Sequence, residues 1–189
     1  ACGPEAPESP APSSVAGDSA ANPFLAPSPL PYGLPPFDQI EHAHFAPAFA
    51  AGMAEERAQV EGILGSSEAP SFENTIVALE KTGAILDRVS RVFYALSSAH
   101  TNDDIRALRA ELAPQLAAHR DAIMLNPELF ERVAAVHAQR EARGLQGEAL
   151  RLVEETYKDF QRAGAALDDE ARARLKEING ALAKEGAAF

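Results

Sequence analysis

Residues 70–96 read PSFENTIVALEKTGAILDRVSRVFYAL. Phe72, Ile76, Leu79, Leu86, Phe93 and Leu96 recur at threes, fours and sevens, the period of one helical face. Ile85, Val89 and Val92 widen that face, so the helix is expected to be buried over a broad stripe. Ser71, directly after Pro70, is placed to cap its start. Asp87 and Arg91 stand four apart on the polar side.

The same period runs outward in both directions. Upstream, a helix over about 43–64 carries Phe45, Phe49, Met53, Val60 and Leu64 on one stripe, with Pro47 in its first turn and Gly65-Ser66-Ser67 after it. Downstream, a third helix starts near Thr101 or Asn102 and places Ile105, Leu108, Leu112, Leu116 and Ile123 on one side. Asn126-Pro127 opens a fourth, with Leu129, Phe130, Val133 and Val136, closed by Gly144. A fifth carries Leu150, Val153, Tyr157, Phe160 and Leu167, and a sixth, from about Asp168, carries Leu175, Ile178 and Leu182. No segment alternates long enough to be a strand. The expected fold is all-α: an antiparallel bundle of about six helices joined by short connections. The sixth pattern still runs at EGAAF, where the sequence stops.

The first 36 residues differ in composition. Ten of the 14 prolines fall there. Residues 1–21 are too poor in apolar side chains to offset their ordering entropy and are expected to be a disordered tether. Residues 22–42 carry Phe24, Leu25, Leu30, Tyr32, Leu34, Phe37 and Ile40 among prolines. They are expected to form an extended arm that docks on the helices with its apolar side chains inserted. The helical region then covers 43–189.

Cys2 is the single cysteine, which excludes an intrachain disulfide and a cysteine-based zinc site. Ala1-Cys2-Gly3 resembles the end of a bacterial lipoprotein signal, so Cys2 is a candidate lipidation site. An exposed thiol in a flexible tail is the other reading. The first residue is not Met, which suggests that something was removed. On the lipoprotein reading the protein belongs in the bacterial periplasm or cell envelope, including the outer membrane; a cytoplasmic location is the alternative.

The formal charge is -11 and Trp is absent. Phosphate backbones would be repelled, so nucleic acid is not an expected partner. No apolar run reaches 18 residues, so no membrane-spanning helix is expected.

The chemistry-bearing residues do not assemble into a recognisable site. His42 and His44 sit beside Glu41, but on a helix they diverge by about 200°. A helical zinc pair needs positions i and i+4, as in HExxH. None of His42, His44, His100, His119 and His137 is followed by Glu, so that motif does not occur here. Solvated or capping roles are expected for His42 and His44, and a surface pair with Glu141 for His137. No Gly-rich phosphate loop or GxSxG is found. Catalytic residues: none; metal ligands: none.

One resemblance adds to this. PSFENTIVALEKTGAILDRVSRVF, residues 70–93, resembles the N-terminal region of the thimet oligopeptidase and peptidyl-dipeptidase family of zinc metallopeptidases. NPFL (22–25) and LPYGLPPFDQI (30–40) are similar to that family's arm, and FAPAF (45–49) to its first helix. LAPQLAAHRDAIMLNPELFERV (112–133) and YKDFQRAGAALDDEARARLKEIN (157–179) fit later segments in order. The peptidyl-dipeptidase branch is the closer match.

The resemblance implies a much longer, largely helical enzyme whose N-terminal helices form a lid or wall of a channel for short peptides. It implies zinc in the full-length enzyme, bound downstream by HExxH and a later Glu, and none bound by this chain. On this reading the 189 residues are the lid of a peptidase and are inactive alone. The breadth of the apolar face at 72–96 is expected to pack against a part not included here. The alternative is a free-standing helical lipoprotein that binds a peptide or a partner protein.

Overall fold

A computed structural model describes residues 22–188. The tether expected over 1–21, with Cys2, lies outside the described residues. Among the described residues there is no strand, and six long helices account for most of the chain. They are α1 (Phe45–Leu64), α3 (Ala84–Ala99), α4 (Asp103–Met124), α5 (Pro127–Gln139), α6 (Gly147–Ala163) and α7 (Asp169–Ala188). A π-helical stretch, Phe72–Val77, leads into the single turn α2 (Ala78–Glu80).

Short side-chain caps set the boundaries. Ser71 Oγ accepts from the Asn74 N–H at 3.1 Å, while Asn74 Oδ1 accepts from the Ser71 N–H at 2.8 Å, a reciprocal box. Asn102 Oδ1 accepts from Ile105 N–H at 2.8 Å and starts α4. Asn126 does the same for Leu129 at 3.0 Å, with Pro127 in the first position of α5. Asp168 Oδ1 takes the Ala171 N–H at 2.8 Å before α7.

The helix expected to run unbroken from Ser71 is in fact two pieces. The chain turns at Gly83, whose φ of +73° is open to glycine and unfavourable to other residues. The reason lies in α1. Its Glu56 carboxyl group occupies the space where a Gly83 side chain would stand, 2.8 Å from an ideal Cβ. Gln59 Oε1 accepts the Gly83 N–H at 2.8 Å, and Glu55 Oε2 accepts the Ile85 N–H at 3.3 Å. Side chains of α1 therefore supply the acceptors that the first turn of α3 lacks. One turn earlier, Gly52 brings the two helices together: a Cβ there would lie 2.7 Å from Leu86 N.

Two apolar cores result. The first joins Phe45, Ala48 and Phe49 of α1, Val89, Val92 and Phe93 of α3, Ile105, Leu108 and Leu112 of α4, and Phe24 of the arm. Its rings meet at 5.2 Å (Phe24–Phe45), 5.3 Å (Phe45–Phe93) and 5.4 Å (Phe49–Phe93). The second gathers Val60 and Ile63 of α1, Ile76, Ile123 of α4, Leu129, Val133 and Val136 of α5, and Val153 and Phe160 of α6. Burying each such large side chain contributes roughly 1.5–3 kcal/mol. α1 and α4 thus run from one core into the other. α7 packs mainly on α4.

Two expectations about apolar surface are corrected. The face at 72–96 is already covered from within: Ile76, Val89, Val92 and Phe93 are all buried against α1, α4, α5 and α6. The arm, in contrast, is only partly inserted. Phe24 and Pro36 are buried and Ile40 packs on the first core, but Leu30, Tyr32, Leu34 and Phe37 are exposed. Its prolines and a left-handed Tyr32 turn the chain outward between those two anchors.

Candidate functional site

His42 and His44 lie in a 3-10 turn, His42–His44, that leads into α1. Glu41 N–H donates to His44 Nδ1 at 3.0 Å, and Asn22 Nδ2 donates to the His44 carbonyl at 2.9 Å. His44 thus caps a helix entrance and ties down the arm, in line with the capping role expected of it. His42 sits edge-on to Phe45. His100 closes α3 through its backbone N–H to Leu96 O. Among the described residues no three His, Cys, Asp or Glu side chains converge as a metal-binding group. The donors present, one imidazole nitrogen of which is engaged in the cap, do not fit a zinc ion.

Ionisable side chains do come together between the two cores. His119 of α4 is 5% exposed, and its Nε2 lies 2.7 Å from Glu56 Oε2 of α1. Nδ1 is buried without a partner. The same Glu56 side chain packs over Gly83, at the start of α3. A cleft of about 400 Å³ lined by Met53, Arg57, Gln115 and His119 opens beside it. Sequence reading did not single out this pair, although a signal was present. Glu56 falls on the stripe Phe49, Met53, Val60, and His119 on Leu112, Leu116, Ile123. A charged residue at a core-facing helical position calls for a partner.

Among the described residues, two stretches each expose several large apolar side chains. One is the arm loop. The other is α7, where Leu182 is 65% exposed and Ile178 stands beside it. Leu175 and Leu182, with Met124, line a cavity of about 380 Å³ edged by Arg120 and Arg162. The stripe expected on the sixth helix therefore exists but is only partly buried: Leu175 is half-buried, whereas Ile178 and Leu182 are exposed. Among the described residues no helix is long and apolar enough to cross a membrane.

His137 does not reach for Glu141. Its ring stacks on Tyr157, with centroids 4.0 Å apart and planes within 7°, and Phe130 stacks on the same Tyr157. Burial, and next the positive charge of Arg140, hold its pKa below the ordinary 6.5. The unfolded chain therefore takes up this proton first as pH falls. The contribution to stability is complete above pH 6.5 and is lost as pH falls from there to the lower folded value. An NMR titration of the folded protein should give His137 a midpoint below 6.5, with melting temperature falling over the same window; a midpoint at or above 6.5 contradicts this.

No family model matches the chain. Individual proteins do. Dipeptidyl carboxypeptidase of Salmonella typhimurium is 46% identical over 158 residues, which is 84% of this chain and 23% of that protein. The dipeptidyl carboxypeptidase of Escherichia coli matches to the same extent. Oligopeptidase A of Salmonella typhimurium is 25% identical over 155 residues, 82% of this chain and 23% of its own. The chain spans about a quarter of the length of the curated relatives it matches.

Proposed function

We propose, on the premise that the chain belongs to the peptidase family of the dipeptidyl carboxypeptidases and oligopeptidases A, that it forms the N-terminal helical lid of such an enzyme. The observation that carries the reading is the extent of the match: 158 residues, 84% of this chain, align at 46% identity with a stretch amounting to 23% of a peptidase. As a lid it would wall a channel that admits short peptides and excludes folded proteins. The zinc ion that the resemblance implies, and the residues that polarise the peptide bond, would then be carried by the rest of the enzyme. The side chains of this chain hold the wall in shape. Gln59 and Glu55 tie α1 to the start of α3, and the His119–Glu56 contact ties α4 to α1.

Two open surfaces support a role within a larger body, because the arm loop and α7 expose large apolar side chains that none of the described residues covers. The bacterial envelope is the proposed location, on Ala1-Cys2-Gly3 alone.

The test is direct. Purified chain is incubated with short peptides and added zinc, and hydrolysis is followed by mass spectrometry. No cleavage is expected. Chelator-sensitive cleavage that survives removal of contaminating proteases would overturn the lid reading and return the catalytic role to these 189 residues.

A further inference from the structure

The arm between Phe24 and Ile40 is fastened at both ends and bare in the middle. At one end Phe24 is buried in the first core, its carbonyl takes a hydrogen bond from Arg88, and Asn22 holds the His44 carbonyl. At the other, Pro36 is buried and Ile40 packs on the same core. Between them stand Leu30, Tyr32, Leu34 and Phe37, four large apolar side chains within eight residues, each more than 40% exposed. Tyr32 is fully exposed.

This segment is not loose. Ser28 Oγ donates to the Leu34 carbonyl at 2.5 Å and accepts the Leu30 N–H at 3.2 Å, closing the loop across its neck. Prolines at 27, 29, 31, 35 and 36 fix φ at five of the positions. Tyr32 sits at φ +59°, a left-handed conformation that disfavours residues with a side chain, directly before Gly33 at +66°. A stiff loop that holds a strained, solvated tyrosine at its tip has little ordering entropy left to lose on binding. Surface apolar side chains grouped in this way mark a contact site.

We propose that this loop is a docking element, and that its occupant is the remainder of a peptidase-length chain, which receives Tyr32, Leu34 and Phe37 in an apolar recess. The inference rests on the lid reading. The argument for that occupant is length and position. Some three quarters of each relative has no counterpart in this chain, and the loop runs between two anchors on the first core with its apolar side chains left exposed by the described residues.

Tyr32→Gly separates side chain from backbone, since glycine relieves the left-handed strain while removing the ring. It is compared with Leu34→Ser/Phe37→Ser, in the 189-residue chain and in the protein expressed from its own gene at its natural length. In the 189-residue chain, both variants should melt close to the parent, because Tyr32 is fully exposed and Leu34 and Phe37 are more than half exposed. At natural length, both should lower the melting temperature by several degrees, despite the relief at Tyr32. Equal melting of variant and parent at natural length overturns the docking element and leaves the lid reading intact. A natural length that encodes no peptidase overturns the lid reading itself. Concentration-dependent dimers of the 189-residue chain that disappear in both variants would assign the loop to a second copy, and the proposal fails.

Discussion

Gly52→Ala is expected to destabilise the fold by about 2–3 kcal/mol, the upper part of the range for forcing extra volume into a packed interior. The new Cβ would stand 2.7 Å from Leu86 N and 2.9 Å from Leu86 Cα. Backbone cannot rotate aside as a flexible side chain can, so α1 and α3 must move apart. That separation disturbs Phe49 against Phe93, and it lengthens the bonds from Gln59 and Glu55 that hold the start of α3. The control is the same substitution ten residues on. Gly62 is also inside α1, and a Cβ there meets nothing within 4 Å. Gly62→Ala should therefore raise stability by roughly 0.5–1 kcal/mol, the helix-propensity difference between the two residues. Urea denaturation followed by circular dichroism compares them. Two changes of the same sign would mean that α1 and α3 are not in the contact described.

His119→Ala is expected to cost about 3 kcal/mol. The loss has three sources: the buried imidazole leaves a void, the Glu56 carboxyl group loses its donor, and α4 loses its polar tie to α1. Removing one member of such a pair leaves the survivor partly desolvated without a partner, a cost that each single variant carries and the double variant does not. Glu56→Ala/His119→Ala should therefore lose less than the sum of the two single variants, by at least about 1 kcal/mol. Strict additivity in that cycle would show that the 2.7 Å contact contributes nothing to folding. Glu56→Gln keeps an acceptor within reach of Nε2 and should be the mildest of the set.

The helices themselves were legible because their signals are local. Ser71, Asn102 and Asn126 each place an acceptor where three N–H groups lack one, and each caps as its position suggests. The break at Gly83 was not legible from periodicity, and the reason is geometric. Leu79 and Leu86 are seven residues apart, about two turns, so they stay in phase whether or not the chain turns between them. What forces the turn is a carboxyl group 27 residues upstream, at Glu56, and spacing within one segment carries no information about it. Glu56 and His119 were individually visible as polar residues on apolar stripes. Their pairing depends on how α1 and α4 cross, which no single stripe encodes. The arm misled for a different reason. Its apolar residues suggested insertion, yet five prolines and a left-handed tyrosine hold the chain away from the helices. The resemblance to these peptidases was legible in NPFL, LPYGLPPFDQI and the later blocks taken in order, and the relatives at 46% identity bear that resemblance out.

α1 and α4 each begin in one core and finish in the other. Neither half of the molecule can melt by itself without snapping both helices near Glu56 and His119. A snapped helix creates two new ends, each with backbone groups that have lost their partners. Partial opening is therefore costlier than either core's contacts alone would suggest. The two cores are bound into one cooperative unit by their shared struts, and damage to the Phe45–Phe93 end should be registered as lost amide protection in α5 and α6. A body built this way yields as a whole or not at all.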